Sequence, residues 1–154
     1  MPKIPADLVV DLGRIRADTL LRHWRWLMNE WPHPLFATAL GDLFLRSSVR
    51  GGFCWFDVGR CQVSSRTKDD HILDPLSADF DSTAIESWFR PKLVRALRAS
   101  GMVLGPRQCY TYWQHPLLGG TYAPSNFRIV DVRTHFRIWG PKMKALHDAS
   151  LCRD

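Results

Sequence analysis

The side chains that could perform chemistry in this chain include four cysteines and six histidines. Cys109 is a candidate nucleophile, and His135 could serve as its base if the fold brought the two together. However, Cys109 lies in an apolar, strand-like segment, where a thiol usually has a raised pKa and is inert. We therefore expect His135 to be a hydrogen-bonded structural residue, while the sequence alone leaves a thiol–imidazole pair open.

Familiar catalytic and ligand-binding motifs are absent from the sequence. It contains no Gly-x-Ser-x-Gly, no His-Glu-x-x-His and no phosphate-binding glycine loop. The cysteines lack Cys-x-x-Cys spacing, so Cys54 and Cys61 give little support for zinc. Asp42 and Asp57 stand beside or near a glycine, and turn roles explain both. The sequence therefore predicts no catalytic residue, no metal, no cofactor and no small-molecule substrate.

The composition suits a protein that recognises another macromolecule. The 154 residues are 45% hydrophobic and 23% charged, which fits a single globular domain spanning residues 1–154. Most of the seven tryptophans must be buried, which leaves one or two for an interface. The net charge of +6 is carried largely by arginine, which is suited to bidentate contacts with carboxylates or phosphates.

The location of the protein is predicted from its apolar segments. The N-terminal region does not resemble a signal peptide, and no apolar run approaches the ~20 residues of a membrane span. We therefore expect a cytoplasmic protein with free thiols and no membrane partner.

Helical periodicity predicts a first helix from Asp18 to Trp31, which Pro32 ends. Its apolar face comprises Leu20, Trp24, Leu27, Met28 and Trp31. Trp26 lies about 200° round the helix from Trp24, flanked by Arg22 and Arg25. Trp26 is then either an interface residue or is covered by a second element, and we favour the latter.

The next segments alternate between strand-like and turn-like residues. Short apolar runs at residues 35–40, 43–45 and 53–58, separated by glycine turns, predict an antiparallel meander. Residues 62–81 predict the end of a strand and then an exposed loop bearing Arg66 and Lys68.

The C-terminal half combines helices with two more strands. A helical stretch from Thr83 to Ser100 contains Pro91, which should kink it or begin a new helix. Strands are predicted at residues 108–113 and 127–130, before a last helix that Gly140-Pro141 must interrupt or bend. The fold class is therefore α+β, with a mainly antiparallel sheet and N-terminal, central and C-terminal helices in a single domain.

A succession of short motifs resembles a known family. The motifs are Gly41-Asp42-Leu43-Phe44, Phe56-Asp57-Val58-Gly59, Trp88-Phe89-Arg90-Pro91, Gly105-Pro106-Arg107-Gln108-Cys109-Tyr110 and Leu118-Gly119-Gly120-Thr121-Tyr122, followed by Asn126 and His135. In this order they are similar to the C-terminal domain of type VI secretion DNase-immunity proteins, a domain that also follows GAD-like domains. The resemblance covers about residues 20–146. It departs from the family at Gly140-Pro141, where an uninterrupted helix is expected.

The resemblance implies an immunity protein encoded beside a type VI effector. Such a protein binds its cognate toxin in the cytoplasm and blocks it without catalysis of its own. A DNase is the default toxin of the family, and a nucleotide-modifying enzyme remains an alternative. The arginine content predicts an acidic patch on that toxin. The candidate toxin-binding residues are Trp26, Arg22, Arg25, Arg66 and Lys68.

A basic nucleic-acid-binding regulator is the alternative function. Tyr110, Tyr112 and Trp113 lie near Arg107 and could form a stacking platform. Most aromatic residues nevertheless fall on inward periodic positions, and no helix-turn-helix, zinc-finger or RNA-binding signature occurs. Protein binding therefore ranks above nucleic-acid binding.

Overall fold

The computed structural model describes residues 4–49, 52–65 and 82–151. Two antiparallel sheets form its framework. The larger sheet has its strands in chain order: β1 (Val9–Val10), β2 (His33–Thr38), β3 (Leu43–Arg46), β4 (Phe53–Asp57) and β5 (Gln62–Ser65). The smaller sheet pairs β6 (Gln108–Tyr112) with β7 (Phe127–Asp131). The predicted meander is thus confirmed, with strand ends that shift by up to two residues.

Four α-helices lie within the described ranges, which confirms the mixed α+β class. They are α1 (Ala17–Leu21), α2 (Ser82–Phe89), α3 (Pro91–Ala99) and α4 (Val132–Leu151). None of them is long and apolar enough to cross a membrane.

Pro91 begins α3, as one of the two sequence interpretations expected. Its ring fixes a helical φ and its missing N–H is not needed in the first turn of a helix. The preceding Arg90 has a φ of 47°, so α2 and α3 meet at a sharp corner. Gly101, with a φ of 93°, follows the end of α3 in the left-handed region.

The two faces of the larger sheet are covered by different elements. Phe44 and Trp55 are paired across β3 and β4, and the Trp88 ring of α2 packs against both. On the other face, Phe56 packs against Trp24 and against Phe136 of α4. Burial on both faces explains why β3 is apolar at three consecutive positions instead of alternating.

The first helix is much shorter than predicted. After α1, a 3-10 turn spans Arg22–Trp24, and the N–H of Leu27 donates to the carbonyl of Trp24. These tight turns stack Trp26 on Trp24, with ring centroids 5.9 Å apart, which an α-helix would prevent by separating the rings by about 200°. The predicted inward position of Trp31 is also wrong, since this side chain is 67% exposed.

The last helix is continuous. Gly140-Pro141 was expected to interrupt or bend it, and the interruption is wrong, because α4 is helical from Val132 to Leu151. Pro141 removes one N–H donor from the helix. Gly140 has a packing role: a Cβ at this position would lie 2.5 Å from the Cβ of His23 and 2.7 Å from its carbonyl oxygen. The glycine thus allows the N-terminal turn to approach α4 closely.

Candidate functional site

Several of the motif residues converge on a buried polar cluster at one end of the larger sheet. Asp42, in the turn between β2 and β3, accepts a hydrogen bond from the N–H of Val58 at 2.9 Å. Asp57 accepts one from the N–H of Arg60 at 3.1 Å, which fits its predicted turn role. The Asp42 carboxylate instead joins its own turn to the turn after β4.

Two tyrosines and an arginine complete this cluster. The rings of Tyr112 of β6 and Tyr122 pack edge to face, with centroids 6.1 Å apart, and both hydroxyl groups lie next to Gly59. A Cβ at Gly59 would lie 2.6 and 2.7 Å from these two hydroxyl oxygens, so only glycine fits against them. The guanidinium of Arg90 lies 3.8 Å from the centre of the Tyr122 ring, at the α2–α3 corner. The cluster thereby ties both sheets to the central helices.

The electrostatics of the cluster suit a scaffold. Burial raises the pKa of Asp42, and the nearby negative charge of Asp57 raises it further. Burial also raises the pKa of Asp57, while Arg60 and Arg90 oppose that shift. Among the described residues, no three His, Cys, Asp or Glu side chains converge in the way a metal site requires. Each of the two carboxylates holds a backbone N–H, so both have a structural task.

His135 and Cys109 do not form a nucleophile–base pair in this structure. The Nδ1 atom of His135 lies 2.7 Å from the Thr111 hydroxyl, and its Nε2 atom lies 3.0 Å from the carbonyl oxygen of Gly41. Both ring nitrogens are therefore engaged, and burial lowers the pKa of His135 to about 3. Burial also raises the pKa of the Cys109 thiol, which keeps it protonated. His135 is the hydrogen-bonded structural residue that the sequence led us to expect.

Trp26 is half-buried beneath a second element. Its ring stacks on Trp24 and lies 5.1 Å from the His147 ring of α4, and its indole N–H donates to the carbonyl of His23. This arrangement agrees with the favoured interpretation that another element covers Trp26.

The other predicted contact residues fall into two groups. The guanidinium groups of Arg22 and Arg25 both contact the Asp18 carboxylate, at 3.1 and 3.3 Å. Arg66 and Lys68 lie outside the described residues.

Two further arginines, which the sequence analysis did not single out, lie around one cleft with Arg22. Arg22 borders a cleft of about 470 Å³ between the N-terminal segment and the start of α4. Across the cleft, Arg133 and Arg137 project from successive turns of α4. Its lining residues are Thr19, Arg22, His23, Asp131, Arg133, Thr134 and Arg137. The four-residue spacing of Arg133 and Arg137 was the available signal, since it places them on one helix face.

Exposed aromatic residues are fewer than the alternative function requires. Trp113 is 63% exposed, but Tyr110 and Tyr112 are buried, so the predicted stacking platform retains only Trp113. Trp113 and Trp31 each lie beneath an arginine, Arg128 and Arg25 respectively. Among the described residues they are the tryptophans that are largely exposed, and a place at an interface stays a prediction for both.

Comparisons with known proteins give a match to a family over part of the chain and a match to a solved fold. The family described as T6SS immunity protein Tdi1, C-terminal, matches residues 75–141. This span includes the motifs that begin at Trp88, Gly105 and Leu118, together with Asn126 and His135, and the predicted resemblance is confirmed there. The resemblance before residue 75 stays a prediction. No curated protein sequence matches the chain.

The related fold is that of Atu4351 from Agrobacterium tumefaciens, known from a crystal structure. It matches with a TM-score of 0.52 and 17% sequence identity, over 81% of this chain and 61% of that protein. The chain therefore spans less than two thirds of the length of this relative. At this identity the likeness shows a shared fold alone.

Proposed function

We propose that this chain is a type VI secretion immunity protein that binds a cognate effector toxin and neutralises it without catalysis of its own. The family match over residues 75–141 is the observation that carries this proposal, because it supports an immunity role directly. In this proposal the effector is a nuclease, the default of the family, or a nucleotide-modifying enzyme. It is encoded by a neighbouring gene and is met in the cytoplasm.

The internal structure supports a binding role over a catalytic one. The buried side chains that could act as acid, base or nucleophile are engaged in hydrogen bonds or shielded by burial, as for Asp42, His135 and Cys109. What the molecule presents to a partner is its surface shape and its positive charge. Neutralisation by occupation of a surface requires tight binding, which arginine and tryptophan anchors commonly supply.

The proposed contact surface includes the residues singled out in the sequence. Arg22 is 58% exposed at its side chain and is held by Asp18. Trp26 offers only part of its ring, and Arg25 contacts both Asp18 and the exposed Trp31 ring. Arg66 and Lys68 remain proposed contacts as well.

Co-expression with the neighbouring effector gene tests the proposed function. The effector alone should stop growth of a sensitive host, and this chain should restore growth and co-purify with the effector. A catalytically inactive effector should still form the complex without affecting growth. If no toxin encoded nearby is neutralised or bound, the proposal is wrong.

Stoichiometry distinguishes a binder from an enzyme. A binder should abolish effector activity at about one immunity chain per effector, whereas an enzyme that destroys the effector or its product would act at far lower ratios. Binding to duplex DNA, with an affinity that falls steeply as salt is added, would instead favour the regulatory alternative.

A further inference from the structure

The cleft that contains Arg22, Arg133 and Arg137 has two walls held in fixed positions. The indole N–H of Trp24 donates to the carbonyl of Phe136 at 3.0 Å, which fastens the N-terminal turn to α4. The contact between Gly140 and His23 brings the same two segments together one turn later. The two backbone segments that carry the arginines therefore have a defined separation before any partner arrives.

Two carboxylates orient these arginines without neutralising the cleft. Arg133 forms a forked pair with Asp131, with Nε–Oδ1 and Nη2–Oδ2 distances of 2.8 Å each. Arg22 uses its Nη2 atom to contact Asp18 at 3.1 Å. Each guanidinium keeps further N–H donors.

The remaining arginines leave an excess of positive charge. Arg137 contacts only the Thr134 hydroxyl, at 3.5 Å, among the described side chains. The described lining of the cleft thus carries three guanidinium groups, those of Arg22, Arg133 and Arg137, and one carboxylate, that of Asp131. The hydrogen bonds from Arg133 lower the pKa of Asp131, so this carboxylate stays ionised and continues to hold the arginine.

We infer that this cleft is the docking surface for a carboxylate-rich face of the effector, an inference that rests on the proposed function. Guanidinium groups match carboxylates in planar, paired hydrogen bonds. Because Asp18 and Asp131 already orient two of them, less side-chain freedom is lost on binding. Excess positive charge also accelerates encounter with an acidic partner.

The mixed lining favours a polypeptide over a nucleic acid. A nucleic-acid strand carries a phosphate at every nucleotide, and Asp131, which lines the cleft, would stand among those phosphates as a repelling charge. A protein surface can instead place its own acidic and basic side chains to match the alternating signs of the cleft.

Charge reversal at the two ends of the cleft tests the inference. The double variant Arg22→Glu/Arg137→Glu is compared with Lys92→Glu/Arg95→Glu, which makes the same charge change at exposed positions of α3. Association with the purified, catalytically inactive effector is measured at low and at high ionic strength. We expect association of the cleft variant to be slowed about tenfold or more at low salt, most of this loss to vanish at high salt, and the α3 variant to change far less.

The outcomes separate this inference from the proposed function. If the wild-type chain forms no complex, the proposed function fails and the inference fails with it. If the complex forms but both double variants behave alike, the cleft inference alone is wrong. It is also wrong if the cleft variant loses duplex DNA binding while it keeps effector binding. The milder Arg22→Gln/Arg137→Gln variant and thermal unfolding of each protein show whether a loss is caused by misfolding.

Discussion

The imidazole ring of His135 occupies the space that a side chain at position 41 would need. Its Nε2 atom lies 3.0 Å from the carbonyl oxygen of Gly41, and a Cβ on Gly41 would overlap that ring. Thr111 of β6 extends this contact, because its hydroxyl lies 2.7 Å from the Nδ1 atom of His135 and accepts the indole N–H of Trp139 at 2.8 Å. The turn between β2 and β3 is thus fastened to β6 and α4 by one buried chain of hydrogen bonds.

Substitution of Gly41 by alanine should therefore be costly. Gly41 has a φ of 85°, which alone costs a non-glycine residue about 1–2 kcal/mol, and the overlap with His135 adds about 1–3 kcal/mol. The matched control is Gly101→Ala, because Gly101 has a φ of 93° but no atom within 4 Å of the added Cβ. Urea denaturation should show a clearly larger loss of unfolding free energy for Gly41→Ala. Equal losses would contradict the packing role assigned to His135.

The sheets and the central helices were predictable because local residue patterns determine them. Glycine turns separate the strands of the meander, and Pro91 starts α3 by a property of its own ring. The predicted length of the first helix was wrong because tertiary contacts override periodicity there. The indole N–H of Trp24 donates to the carbonyl of Phe136, and the Trp26 ring stacks on Trp24.

The cleft could not have been located from the sequence for a related reason. Arg22 and Arg137 are more than a hundred positions apart in the chain, and only the packing of α1 against α4 brings them to one surface. Gly140-Pro141 also carried a misleading local signal, since this pair usually breaks a helix. Its actual role depends on a contact with His23 that no local pattern records.

Gly140→Ala should destabilise the protein although alanine is the better helix former. The change gains about 1 kcal/mol in helix propensity, but the new methyl group would lie against the backbone of His23. We expect a net loss of about 1–3 kcal/mol in the free energy of unfolding, measured by urea denaturation. Ala145→Gly, at an exposed position of the same helix, is a control for propensity alone. An increase in stability for Gly140→Ala would show that the close approach is absent.

The tryptophans of the N-terminal segment should differ sharply in their contribution to stability. Trp24 is fully buried and donates to Phe136, so Trp24→Ala should cost about 3–5 kcal/mol. Trp31 is largely exposed, and Trp31→Ala should cost less than about 1 kcal/mol, chiefly its contact with Arg25. Thermal and urea unfolding measure both losses. Similar losses for the two variants would contradict this structure and would support the single long helix, with both tryptophans buried, that the periodicity predicts.

His135 should make the protein less stable as the solution is acidified. Its pKa is about 3 in the folded protein and near 6.5 when unfolded, so between these values the unfolded chain binds a proton that the folded protein excludes. Its contribution to stability is therefore present above pH 6.5 and declines by up to about 1.4 kcal/mol per pH unit below it.

The difference in unfolding free energy between wild type and His135→Gln isolates this effect. The difference should be largest near neutral pH and should shrink towards pH 4. Asp42 and Asp57 titrate in the opposite sense because their pKa values are raised, and subtraction removes their contribution. A difference that does not vary with pH would show that His135 is accessible to protons in the folded state.

Asp57→Asn should lower the pKa of Asp42. Burial is the main cause of the raised pKa of Asp42, and repulsion by the Asp57 charge is the second, so removal of that charge should bring the pKa partly back towards 3.8. The carboxyl carbon of Asp42, followed by NMR through a pH titration, reports the shift. Asp148→Asn, an exposed change on α4, should leave that titration unaltered.

Because a raised folded pKa favours folding at low pH and this contribution is lost as the pH rises through it, Asp57→Asn should also gain stability relative to wild type as the pH increases. An unchanged Asp42 titration would mean that the charge of Asp57 does not act on the Asp42 carboxyl. The polar cluster would then hold its turns by hydrogen bonds alone.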